Sequence, residues 1–182
     1  LNGGVPAWGD AGVICPWTIY LMYGDKRLLE KHLPNMQRWV DWCQAHSTNL
    51  IRDRDRGPDY GDWLAQGEDT PKDLIGTAFF AYSAQLLAKS YHAVGDEANS
   101  QKYQQLFEQI KAAFIQRYVS ADGQVQGGSQ TSCDLALKFG LLPDDLRAKV
   151  MQHLEDNVAA HHDHLTTGFV GGSYLLPTLS AG

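Results

Sequence analysis

Two kinds of helix-forming stretch alternate along this chain, and the alternation limits the architectures open to it. One kind is apolar nearly all round and rich in small residues. The other has one apolar stripe and one charged face. Asp10 to Tyr23, with Ala-Gly-Val-Ile-Cys-Pro-Trp-Thr-Ile-Tyr-Leu-Met at its centre, is of the first kind and predicts a helix buried on most sides. Asp10 is its N-cap, Pro16 kinks it or defines its first turns, and Gly24 ends it. Asp25 caps a second helix to about His46. There Leu28, Leu29, His32, Leu33, Met36, Trp39, Val40 and Cys43 recur at helical spacing, opposite Lys26, Arg27, Glu30, Lys31 and Arg38.

The same pairing repeats downstream. Thr70 as N-cap, Pro71 at the first position and Asp73 in a capping-box-like place open a third, apolar helix that Gly95 closes. Asp96 caps a fourth, amphipathic helix to about Tyr118, with Tyr103, Leu106, Phe107, Ile110, Ala113 and Phe114 on one stripe. A short fifth helix runs from about Thr131 to Phe139. Pro143-Asp144-Asp145 begins a sixth with Leu146, Val150, Leu154 and Val158 on one side, and Phe169 to Leu179 forms a seventh. The long polar segments 2–9, 48–70, 119–130 and 161–168 each precede an odd-numbered helix, which collects those helices' N-termini at one end. The expectation is an all-α fold of about seven helices in alternating inner and outer positions, as in an α/α toroid with its pocket at one rim. An α-solenoid of hairpins is the alternative, against which stands the lack of an exact repeat.

No internal boundary divides residues 1–182. The chain reads as an excerpt of a longer protein, since it starts at Leu1 without an initiator methionine and ends just after an apolar helix. Its 15 Lys and Arg against 21 Asp and Glu leave a net charge of −6 with no basic block, which argues against nucleic acid and anionic membrane as partners. No apolar stretch approaches the roughly 20 residues of a membrane span, and no signal-peptide layout is visible. The compartment, cytoplasm or periplasm, stays open. Cys15, Cys43 and Cys133 are odd in number and far apart, so buried free thiols are expected in place of disulfides or a zinc site.

Chemistry concentrates in the loops. Trp8 and Asp10 stand at the mouth of the first helix, and Asp62 and Trp63 repeat that pairing in the long loop 48–70. Indole faces bind the apolar faces of sugar rings, and carboxylates accept hydrogen bonds from sugar hydroxyls, so two such pairs suggest a carbohydrate pocket. Each has a plainer alternative: a core tryptophan beside a capping aspartate, and a tryptophan that merely pins its loop. Arg52-Asp53-Arg54-Asp55-Arg56 reads as alternating charges that neutralise each other on a solvated surface. His161, His162 and His164 read as surface histidines and not as metal ligands, with His164 kept as a pocket candidate. Asp10 and Asp62 could form a hydrolytic carboxylate pair only if their separation allowed it.

Ala7-Trp8-Gly9-Asp10-Ala11, Pro16-Trp17, Tyr20, Tyr23-Gly24-Asp25, Met36 with Trp39, Gly61-Asp62-Trp63-Leu64, Gln130-Thr131 and Leu165-Thr166-Thr167-Gly168-Phe169 together resemble bacterial α-L-rhamnosidases of glycoside hydrolase family 78. The resemblance covers essentially the whole chain. It implies part of an (α/α)6 six-hairpin toroid and hydrolysis of terminal α-L-rhamnose from glycosides with inversion, without metal or other cofactor. It places Trp8, and less securely Trp63, on the wall of the rhamnose subsite. Asp10 and Asp62 fall on motif positions without assigned roles. The family's general acid belongs to a motif upstream of this region and its base to a Trp-Glu motif downstream. Neither is present, so pocket walls are expected here, no catalytic residue, and partnership with the remaining domains of the same polypeptide. Another α/α-toroid glycosidase, trehalase-like or fucosidase-like, is one competing reading. A non-catalytic helical-repeat module with Trp8 and Trp63 buried is the other.

Overall fold

The computed structural model of the chain describes residues 4–181. Residues 2 and 3 of the first long segment lie outside these, as do Leu1 and Gly182. Among the described residues eight helices follow one another: α1 (Ala11–Tyr23), α2 (Lys26–Ala45), α3 (Lys72–Val94), α4 (Glu97–Tyr118), α5 (Gln130–Lys138), α6 (Asp144–Ala160), α7 (Phe169–Gly172) and α8 (Leu175–Leu179). Antiparallel hairpins α1–α2, α3–α4 and α5–α6 are arranged around α3, which packs on α1, α2, α4 and α5.

Helix α3 is the hub because of its composition. Gly76, Ala78, Ala81, Ala84 and Ala88 let neighbouring helices approach closely, and Leu74, Phe79, Phe80, Leu86 and Leu87 fill the spaces between them. Its buried hydroxyls find partners within the fold: Thr77 donates to Asp73 O and Ser90 to Leu86 O. Phe139, just past α5, stacks on Tyr82 at 4.1 Å and meets Phe79 edge-on at 5.1 Å, joining the second and third hairpins. Truncation of so enclosed a ring costs about 3–5 kcal/mol. Between the first two hairpins the ties are polar as well, since Tyr103 Oη donates to Asp41 and Tyr91 Oη to Gln37.

The caps at Asp25 and Asp96 form as the sequence implies, accepting from the backbone N–H of Arg27 and Asn99. Several other expectations give way. Helix α1 buries only Val13 and Pro16. Cys15, Ile19, Met22 and Tyr23 are exposed on a helix that packs on α2 and α3, so of the three thiols Cys43 and Cys133 are the buried ones. The seventh helix is broken into α7 and α8 at Ser173-Tyr174. Adjacent Gly171 and Gly172 weaken it, and Pro177 fits only the first turn of a fresh helix. Thr70 does not cap α3: its hydroxyl pairs with Ser129 Oγ at 2.6 Å, and Pro71 precedes the helix. Arg52, expected on a solvated surface, is 1% exposed. Its guanidinium lies over the Trp42 ring at 4.9 Å and donates to the carbonyls of His46 and Arg54, so backbone oxygens take the place of aspartates.

Candidate functional site

The loops before α1, α3, α5 and α7 gather at one end of the bundle, and three buried or half-buried acidic groups fasten them there. Asp10, 2% exposed, accepts from Ala7 N at 2.9 Å, Trp39 Nε1 at 2.7 Å and Ser83 Oγ at 2.6 Å. It therefore joins the first loop to α2 and α3. Its side chain makes no capping bond to α1 and reaches no open surface. Burial raises its carboxyl above the ordinary value, and the bonds from Ser83, Trp39 and Ala7 oppose that. Gly9 is required for this closure, because a Cβ there would stand 2.7 Å from Trp39 Cζ2 and closer still to Cη2 of the same ring.

Asp62 has the same kind of role one loop further on. Its Oδ2 accepts from Thr131 Oγ1 at 2.5 Å and Gly168 N at 2.8 Å, and its Oδ1 from Val170 N at 2.8 Å and Gly171 N at 3.2 Å. The Phe169 amide donates to Trp63 O at 2.8 Å. Gly168 must be glycine, since a Cβ would lie 2.5 Å from Asp62 O and nearer still to Trp63 O. The third group, Glu68, accepts from Gln130 N, Thr166 Oγ1 and Asn157 Nδ2. Burial alone would raise its carboxyl, but these hydrogen bonds outweigh burial and lower it. Gln130 completes the fastening, with Nε2 donating to His164 O and Oε1 accepting from Thr166 N.

What these ties hold in place is aromatic. Trp8 meets Tyr60 edge-on at 5.3 Å, Tyr60 lies 6.4 Å from Trp63, and Trp63 stacks on Phe169 at 5.4 Å. All four are exposed, Trp8 by 39% and Trp63 by 50%. The series bends around a cleft of about 320 Å3, whose lining includes Trp8 and Phe169 from its two ends, with Ile14, Cys15, Phe79 and Tyr174. Burial lifts the Tyr174 phenol far above its ordinary range, so it is a neutral hydroxyl at the cleft wall. Both tryptophans adjoin a non-glycine residue in the left-handed region, Ala7 at φ 69° and Leu64 at φ 67°. Strain of that kind, about 1–3 kcal/mol per residue, persists where surrounding bonds over-determine the backbone, as they do here.

The expected site residues therefore separate. Trp8 and Trp63 belong to one continuous aromatic surface. Asp10 and Asp62, expected to face a sugar, are turned inward because backbone amides and hydroxyls take up their oxygens. His164, the pocket candidate, is exposed and lines no part of the cleft; its Nδ1 donates toward the carbonyls of His161 and His162. Among the described residues no Asp, Glu, His, Lys or Arg side chain lines the cleft. Among the described residues no three His, Cys, Asp or Glu side chains are grouped to hold a metal ion. Tyr60 and Phe169 complete the surface and are not among the expected site residues, although Phe169 ends the Leu165-Thr166-Thr167-Gly168-Phe169 motif and Tyr60 directly precedes Gly61-Asp62-Trp63.

Residues 2–182 match the family described as the bacterial alpha-L-rhamnosidase 6 hairpin glycosidase domain. The chain belongs to this family. An alpha-L-rhamnosidase of Streptomyces avermitilis is 42% identical over 180 residues, covering 99% of this chain and 17% of that protein. One from Formosa agariphila is 33% identical, covering 98% and 21%. The S. avermitilis enzyme, solved in complex with L-rhamnose, superimposes with a TM-score of 0.93 at 41% identity over 98% of this chain and 17% of its own. The enzyme from Dictyoglumus thermophilum gives 0.88 at 29% identity, covering 98% and 21%. The chain thus spans about a fifth of the length of its curated relatives. Within the six-hairpin rhamnosidase domain, α1–α6 make up three hairpins, a partial toroid with α1, α3 and α5 inside and α2, α4 and α6 outside.

Proposed function

We propose that this chain forms one wall of the pocket in which a glycoside hydrolase releases terminal α-L-rhamnose from glycosides with inversion, and that the rest of the polypeptide supplies the acid and the base. The observation that carries the reading is the aromatic surface bent around a cleft whose lining, among the described residues, includes no Asp, Glu, His, Lys or Arg. A deoxyhexose offers an apolar ring face and a methyl group, which an indole and a phenyl ring can cover. Inversion needs a general acid and a base holding water, with carboxyl groups roughly 6.5–9.5 Å apart. Asp10 and Asp62 are fully engaged by internal donors, so neither is free to protonate a leaving oxygen or position water. They act as struts, and Trp8 and Trp63 face the substrate. The relatives named as α-L-rhamnosidases support the sugar, and one of them was solved with L-rhamnose.

The helical-repeat reading requires both tryptophans in the interior, and their exposure stands against it. A trehalase-like or fucosidase-like specificity is separated by a substrate panel. In the complete polypeptide, Trp8→Ala is expected to lower kcat/KM for an aryl α-L-rhamnoside by about tenfold to a hundredfold, from loss of roughly 1.5–3 kcal/mol of ring burial. Residues 1–182 expressed alone are expected to show no turnover. An unchanged kcat/KM in the variant, or activity of the piece that Asp10→Asn abolishes, would remove the basis of the reading.

A further inference from the structure

We infer that Tyr60, with the outer edge of Trp63, is a specificity-determining platform for the group attached to the sugar, selecting leaving groups that carry a ring with an apolar face. The inference rests on the reading above, in which the cleft takes the terminal rhamnosyl unit. The cleft's volume, about 320 Å3, stands at the small end of ligand sites and suits one sugar residue. Trp8 and Phe169 line it. Tyr60 and Trp63, which connect those two rings, lie outside the lining and remain half exposed. The aromatic surface therefore continues past the space that one sugar fills.

Tyr60 is also held ready, with little of its own to hold up. The turn beneath it is fixed by Asp59, whose Oδ1 accepts from Gly61 N at 3.2 Å, whose Oδ2 pairs with Arg56 at 3.1 Å, and whose carbonyl accepts from Lys72 Nζ at 2.8 Å. Asp59 itself is held at φ 33°. The Tyr60 hydroxyl makes no hydrogen bond among the described residues. A ring on a fixed turn, already oriented by its edge contact with Trp8, loses little freedom when a ligand stacks on it, and its hydroxyl can meet a polar edge. The chemistry recognised is a flat-faced ring, from either a second pyranose or an aromatic aglycone.

The test uses the complete polypeptide and three substrates: methyl α-L-rhamnoside, phenyl α-L-rhamnoside and an α-L-rhamnosyl-glucose disaccharide. Tyr60→Ala is expected to lower kcat/KM about tenfold on ring-bearing substrates and to leave the methyl glycoside within about twofold. Tyr60→Phe is expected to restore stacking. A loss confined to the phenyl glycoside assigns the platform to aromatic aglycones, and a loss on the disaccharide assigns it to a second sugar; either supports the inference. Equal loss on all three substrates makes Tyr60 a prop for Trp8 and overturns it, as does no loss on any. Trp8→Ala separates the two levels. If it weakens all three substrates while Tyr60→Ala does not discriminate, only this inference falls. If Trp8→Ala changes none of them, the rhamnose reading falls as well.

Discussion

Replacing Asp62 by asparagine changes one atom and should loosen half of the aromatic surface. The carboxylate accepts four hydrogen bonds, from Thr131 Oγ1, Gly168 N, Val170 N and Gly171 N. The amide oxygen can replace Oδ1 and keep Val170 and Gly171, while the amide nitrogen then faces Thr131 and Gly168. Thr131 can rotate to accept, but the Gly168 N–H is left against another donor. A charge-assisted bond is worth about 1.5–3 kcal/mol, and an orphaned donor costs about 1–3 kcal/mol. After partial hydration of this half-buried site, a local loss of about 2–4 kcal/mol is reasonable. Hydrogen exchange followed by mass spectrometry on peptides covering 165–172 in the complete polypeptide reads this directly. Opening made easier by that amount speeds exchange roughly thirtyfold to a thousandfold, with α3 and α4 unaffected. Exchange across 165–172 that stays within about threefold of wild type would show that the carboxylate is dispensable to the wall.

Two more outcomes follow from the same geometry. Gly168→Ala forces a Cβ onto the backbone carbonyls of Asp62 and Trp63, and should separate the two loops, costing at least about 3 kcal/mol and most of the activity on rhamnosides; wild-type melting and turnover would contradict the close approach. Burial raises the Asp134 carboxyl from 3.8 to about 7, against a hydrogen bond from Thr178. A raised value means the folded chain favours the protonated acid, so this stabilisation is complete below about pH 4 and is lost as pH rises through about 7. The stability gained by Asp134→Asn should therefore grow between those limits by up to about 1.4 kcal/mol per pH unit and level off above them. A difference in unfolding free energy that is constant with pH would argue against a buried, protonated Asp134.

Hydrophobic period and caps made most of the scaffold legible in advance. The α2 stripe of Leu29, Leu33, Met36, Val40 and Cys43 is buried as its spacing requires, and Asp25 and Asp96 cap where expected. The bias of long loops toward one end predicted where Trp8 and Trp63 would gather. The direction of a carboxylate was not legible. An aspartate beside a tryptophan in a loop has the same local sequence whether it meets a ligand or three amides from a segment a hundred residues away. Helix α1 misled for a related reason: an all-round apolar composition says that a helix avoids water, but not which of its faces the neighbouring elements within 4–181 cover. Arg52 reads as a surface cation until Trp42 and two carbonyls are brought to it by the fold.

The bond from Gly168 to Asp62 crosses 106 positions of sequence. Trp63 and Phe169 consequently behave as one jaw, although 106 positions separate the two residues. A lineage that needs a wider opening cannot obtain it by varying either loop separately, because each change must be accommodated by the other. Grafts that exchange both segments together should tolerate new shapes that single-loop exchanges reject.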